Sequence, residues 1–228
     1  MSRAGARTVA IDLGNGERVS GLLQAPVNAR ACYVLAHGAG AGMTHPFLAA
    51  VAEELAERGI ATLRYQFPYM ERGSKRTDAP GLAQTAVRAA VVEMSRLAPE
   101  LPLIAGGKSF GGRMTSLAQA ASPLPGVRAL AFLGFPLHPP GRPADQRGKH
   151  LLDVRIPMLF LQGTRDAFAD LRLLRSLVER LGARAALKLL QDADHSFHVP
   201  ARSGRTDVLV RAEMLDALAD WIGKVVQS

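Results

Sequence analysis

Gly107-Lys108-Ser109-Phe110-Gly111 stands between an apolar run, Leu101-Pro102-Leu103-Ile104-Ala105, and a helix-like stretch beginning near Gly112. In that setting G-x-S-x-G reads as a strand-to-helix turn that lifts a serine hydroxyl clear of its neighbours. Flanking glycines are needed because so sharp a turn leaves no room for side chains beside the strained position. With 22 glycines and 11 serines in 228 residues, chance alone supplies the pattern about 0.1 times. The same residues could close a phosphate-binding loop, G-x-x-x-x-G-K-S. The glycine required five positions earlier is Pro102, however, which has no amide hydrogen to offer a phosphate.

Outward from the turn, the pattern is one of alternating strands and helices. Thr8 to Leu13 and Arg18 to Gln24 read as strands joined by the hairpin signal Gly14-Asn15-Gly16. Apolar strands follow at 31–36, 60–65, 101–105, 127–133, 158–161 and 185–190. Helical stretches fall at 46–58, 82–97, 112–121, 168–181 and 207–226. Continuous apolar strands in βα alternation predict an α/β fold. Its sheet is eight-stranded and mostly parallel, with helices on both faces and an antiparallel hairpin at the start.

Composition narrows the classes. The 228 residues suit one large core without a break, so 1–228 is expected to be a single domain. The net charge of +8 comes from 23 arginines and 5 lysines spread along the chain. No zinc-finger spacing, basic helix or RNA-binding aromatic signature accompanies them, so nucleic acid is not an expected partner. Met1 to Ala10 lacks a signal-peptide apolar region, and no apolar run is of membrane-spanning length. The single Cys32 lies in an apolar run and reads as a buried small hydrophobe. A cytoplasmic location, as monomer or homodimer and without a membrane partner, is the expectation.

A nucleophilic serine needs a base to take its proton and an acid to orient that base, both on loops after later strands. Asp166 follows the strand at 158–161 through Gln162-Gly163-Thr164-Arg165. His195 follows the strand at 185–190 in Asp192-Ala193-Asp194-His195-Ser196-Phe197. Ser109, Asp166 and His195 are therefore the candidate catalytic residues. Competing readings exist: Asp166 could merely cap a helix, Asp170 or Asp153 could be the acid, and His198 could be the base. His195 with His198 could suggest a metal, but no third ligand has recognisable spacing and none is expected. The Gly-rich stretch His37-Gly38-Ala39-Gly40-Ala41-Gly42 is the candidate oxyanion loop, contributing the Ala39 amide, with Gly40 as fallback, beside that of Phe110. His37 reads as a brace for that loop. Lys108 could bind an acidic substrate group or pair with a carboxylate at the rim of the turn, and the structural role is preferred.

These residues carry a resemblance. His37 to Gly42, Arg64-Tyr65-Gln66-Phe67-Pro68-Tyr69, Gly106 to Gly112, Gly134 to Gly141, Gln162 to Asp166 and Asp194 to Phe197 resemble the small dienelactone-hydrolase-like α/β-hydrolases. The nearest branch in appearance includes the hydrolase-like domain of a eukaryotic chromatin-complex subunit. The resemblance implies a serine hydrolase fold without cofactor, with the chain order Ser109, Asp166, His195. Dienelactone hydrolases proper carry a cysteine nucleophile, so their lactone substrate does not transfer to a chain with Ser109. Only about two dozen residues, Gly134 to Pro157, are available where relatives insert a cap, too few for a helical lid. An open site with no cap domain is expected, walled by Phe67, Tyr69, Leu137 and His138. The substrate expected is a small-molecule ester with a short acyl group, with thioesters, lactones, activated amides and perhydrolysis left open. The alternative is a non-catalytic binding protein on the same fold.

Overall fold

Arg7–Asp12 (β1) and Arg18–Gln24 (β2) pair antiparallel, from Arg7 opposite Leu23 to Asp12 opposite Arg18. The computed structural model describes residues 5–14 and 16–227, so Asn15 of the hairpin signal and Met1 to Ala4 lie outside the described residues. The chain then alternates through Ala31–Ala36 (β3), Pro46–Glu57 (α1), Ile60–Tyr65 (β4), a short turn of helix Pro68–Glu71 (α2), and Pro80–Leu97 (α3). Leu103–Lys108 (β5), Phe110–Ala121 (α4), Val127–Leu133 (β6), Met158–Gly163 (β7), Leu171–Leu181 (α5), Ala185–Leu190 (β8) and Asp207–Gln227 (α6) complete it.

The sheet has eight strands in the order β1-β2-β4-β3-β5-β6-β7-β8, and every pairing from β4 to β8 is parallel. β3 and β4 are buried at every position because helices cover both faces. Side chains alternate between two cores, as the period of a strand requires. Cys32 and Val34 face one core with α3, α4 and α5, and Tyr33 and Leu35 face the other with α1 and α6. Burial pushes the Cys32 thiol up to about 12, which keeps it an inert thiol.

The chain leaves β3 towards β4 on one side and returns to β5 on the other. This reversal opens a crevice at the carboxyl ends of β3 and β5, where the loops after both strands meet. β5 extends three residues beyond the apolar run. Gly106 and Gly107 look like loop in sequence, yet they continue the strand by pairing with β3 on one side and β6 on the other, so closely that only glycine fits. A Cβ on Gly106 would stand 1.8 Å from the Ala131 carbonyl oxygen of β6, and one on Gly107 2.3 Å from that of Ala36 in β3. Between Gly134 and Pro157 there is only a 3₁₀ turn, Gln146–Asp153, tied to α4 by Ser116 Oγ and His150 Nε2 at 2.8 Å. No cap domain is present among the described residues.

Candidate active site

Ser109 links the end of β5 to the start of α4 with φ 49° and ψ −114°, a left-handed conformation that is strained for a residue with a Cβ. Its amide donates to the Leu133 carbonyl (3.2 Å) and its carbonyl accepts from Arg113 N (3.1 Å), so both flanks of the turn are tied. Gly111 lets α4 approach β3, since a Cβ there would stand 2.5 Å from the His37 carbonyl oxygen.

His195 is carried by a turn that Asp194 organises. The Asp194 carboxylate accepts from Ser196 N (2.7 Å) and His198 N (3.0 Å), and its own amide donates to the His198 carbonyl (2.9 Å). This turn is stitched to the loop after β7 by Arg165 N on the Ala193 carbonyl (2.9 Å) and Asp192 N on Thr164 Oγ1 (2.8 Å). The two loops arrive as one unit. They place His195 Nε2 2.8 Å from Ser109 Oγ, and His195 Nδ1 2.7 Å from Asp166 Oδ2. The carboxylate accepts, so Nδ1 carries the proton and Nε2 offers its lone pair to the serine. Asp166 Oδ2 also accepts from the Gln162 side chain (2.6 Å), and Oδ1 from Phe168 N (2.8 Å). Gln162 is fully buried and in turn accepts from Phe135 N (2.9 Å).

The competing residues are elsewhere. α5 begins at Leu171 rather than Phe168, and Asp170 is its cap, accepting from Arg172 N and Leu173 N. His198 pairs with Asp207 at 2.8 Å on the surface. Asp153 closes the 3₁₀ turn.

Above the serine lies the Gly38 to Gly42 stretch. The Gly40 amide is taken by Tyr69 Oη at 3.3 Å, whereas Ala39 N meets no acceptor among the described residues. Phe110 N sits in the first turn of α4, where helix amides have no internal acceptor. His37 accepts from Phe67 N at Nε2 (3.0 Å), so its Nδ1 donates to the Gly38 carbonyl (2.8 Å). Burial pushes it down to about 4, so it braces the loop as a neutral ring.

The cleft beside Ser109 measures about 280 Å³ and is lined by Gly38, Ala39 and Ala41, by His45, Phe47 and Leu48, and by Lys108, Phe168, His195 and Ser196. The four expected wall residues are absent from that lining and are buried, which corrects the expectation from sequence. Phe67 is fully buried in an edge-to-face cluster with His37, Tyr65 and Phe110, and Tyr69 is committed to Gly40. Leu137 is core, against the turn at Gly148. His138 accepts from Asp170 N at 2.7 Å. Aromatic and apolar residues near a site are drawn into its supporting core when the backbone turns inward. The apolar wall comes instead from Phe47 and Leu48, in the first turn of α1 directly after the Gly-rich loop, and from Phe168, two residues past Asp166. Their proximity in sequence to those loops was the available signal. Phe168 lies against the His195 ring, centroids 4.3 Å apart.

Residues 29–223 match the model of a family described as "Alpha/beta hydrolase domain". The fold is similar to that of a dienelactone hydrolase from Anabaena variabilis, with a TM-score of 0.78 at 22% identity, covering 98% of this chain and 99% of that one. It is similar also to an α/β serine hydrolase without lid from Xanthomonas campestris (TM-score 0.72, 22% identity, 97% of each chain). A third likeness is to an esterase from Pyrococcus furiosus (TM-score 0.74, 14% identity, 96% of this chain and 92% of that one).

Proposed function

Because this chain belongs to the α/β-hydrolase domain family, we propose that it is a serine hydrolase that cleaves small or short-acyl carboxylic esters through an acyl-enzyme. The observation that carries this reading is the unbroken line from Ser109 Oγ through His195 to Asp166, at 2.8 and 2.7 Å, with the serine on a strained turn. In this mechanism His195 Nε2 takes the Ser109 proton as Oγ bonds to the ester carbonyl carbon. The carbonyl π electrons move to oxygen, where the Ala39 and Phe110 amides receive the charge. Collapse breaks the bond to the alkoxy group, which leaves with the proton from Nε2. Water then attacks the acyl-enzyme with the same histidine as base, releasing the acid and restoring Ser109. Asp166 holds the tautomer and stabilises the imidazolium.

A cleft of about 280 Å³ with Phe47, Leu48 and Phe168 as its apolar wall supports a short acyl group. The test is fluorophosphonate labelling with peptide mapping, alongside hydrolysis of p-nitrophenyl esters of increasing chain length. The expected result is one adduct on Ser109, lost in Ser109→Ala, and kcat/KM highest for the shortest acyl groups. A folded protein that admits the probe and forms no adduct overturns the reading in favour of a binding protein on this fold.

A further inference from the structure

We propose that Lys108 is a positioning residue for the base, acting through the backbone of the loop that carries His195 and not through substrate. The inference rests on the hydrolase reading above. Lys108 Nζ donates to the His195 carbonyl at 2.6 Å, a bond joining the residue before the nucleophile to the backbone of the base itself. Sequence suggested a carboxylate partner; the structure supplies a carbonyl.

Three features build a passage for this side chain. Its stem runs beside Gly38, where a Cβ would lie 3.5 Å from Lys108 Cγ. Its ammonium lies 5.3 Å from the centre of the Phe197 ring, a cation–π arrangement. Phe197 itself holds φ 63°, unusual for a bulky residue, which turns its ring to this place. At Gly134 a Cβ would stand 3.2 Å from Lys108 Nζ and 3.5 Å from both Asp166 Oδ2 and His195 Cε1. Base, acid and ammonium thus converge around one glycine at the end of β6.

A lysine partly buried among apolar groups needs a reason to stay charged. The charged and titratable groups around it are Asp166 after β7, and Asp194 and His195 after β8. The two carboxylates favour the ammonium but do not outweigh burial, which pushes Lys108 down to about 8. Below that pH a charged donor holds the His195 carbonyl, and above it a weaker neutral amine does.

The experiment compares wild type, Lys108→Met and Lys108→Cys for ester turnover and for the rate of fluorophosphonate labelling of Ser109, from pH 6 to about 9.5. The introduced thiol is also alkylated with 2-bromoethylamine, which rebuilds a lysine isostere; buried Cys32 stays silent. Expected is a kcat loss of about 10- to 100-fold in both variants with KM changed less than about 3-fold, and recovery of most of kcat on aminoethylation. Wild-type turnover and labelling should decline above about pH 8, and Lys108→Met should lack that decline. Raised KM at constant kcat means that Lys108 contacts substrate and overturns the proposal, as does wild-type kcat in folded Lys108→Met, or absent rescue. Should Lys108→Met fail to fold, Lys108→Cys carries the test by itself: equal rates of Ser109 labelling before and after aminoethylation overturn the proposal. A wild type that does not label at all sinks the hydrolase reading, and this proposal with it.

Discussion

The Gln162 side-chain amide stands 2.6 Å from Asp166 Oδ2, the same oxygen that faces His195. That oxygen is therefore held from two directions, and Gln162 is itself fixed through Phe135 N. Replacing Gln162 by Leu removes the donor and leaves a buried amide without its acceptor. Expected are a stability loss of about 1–3 kcal/mol by urea denaturation and a kcat fall of roughly 10-fold, with KM little changed.

Gly134 takes φ 72° and faces Lys108, Asp166 and His195. Gly134→Ala should cost about 1 kcal/mol from backbone strain alone. Its larger effect should be on turnover, because any displacement moves Asp166 and His195 together. An alanine variant with wild-type kcat would show that these groups tolerate movement.

Ser109, His195 and Asp166 form one hydrogen-bonded unit, so their losses should not add. Ser109→Ala, His195→Ala and the double variant are each expected to retain the same residual ester hydrolysis, at least 10³-fold below wild type. A double variant much slower than either single would mean that the residues act independently.

His198 and Asp207 make an exposed pair at 2.8 Å, and the bond to Asp207 holds the His198 ring above its ordinary 6.5. A histidine raised on folding adds stability fully present below its unfolded value and lost as pH rises through the folded one. Asp207, held below its usual range by the same bond, adds its share above the unfolded carboxylate value. NMR titration should place His198 above 6.5 in wild type and lower in Asp207→Asn. The pH-dependent part of the difference in thermal midpoint should shrink from about pH 6 to pH 8. Identical His198 titrations in both proteins would remove the pair from the stability account.

The serine turn, the two loop residues that meet it and the strand alternation were legible because each rests on local chemistry. Glycines mark the tight turn, and polar residues punctuate apolar strands. What was not legible depended on which way a loop turns in space. Phe67 and Tyr69 have the chemistry of pocket walls, but α2 folds them beneath the Gly-rich loop, where Tyr69 serves Gly40. Phe47 falls within the helical stretch at 46–58, with nothing local to mark it as a wall residue. Phe47 stacks on Phe197 of the His195 loop, centroids 5.7 Å apart, a contact no local pattern reveals. The end of β5 was misread for a related reason. Gly106 and Gly107 carry no apolar signal, and what makes them strand is their ladder pairing with Leu35 and Ala36 of β3 and with Ala131 and Phe132 of β6.

Those pairings make the serine turn a property of three strands rather than of five residues. β6 also supplies the Leu133 carbonyl that takes the Ser109 amide, so the strained shape is held from outside the pentapeptide as well. A fragment ending before β6 would contain the whole pentapeptide without the Leu133 carbonyl. The strained geometry of Ser109 is therefore expected to depend on assembly of the central sheet and not on the pentapeptide alone.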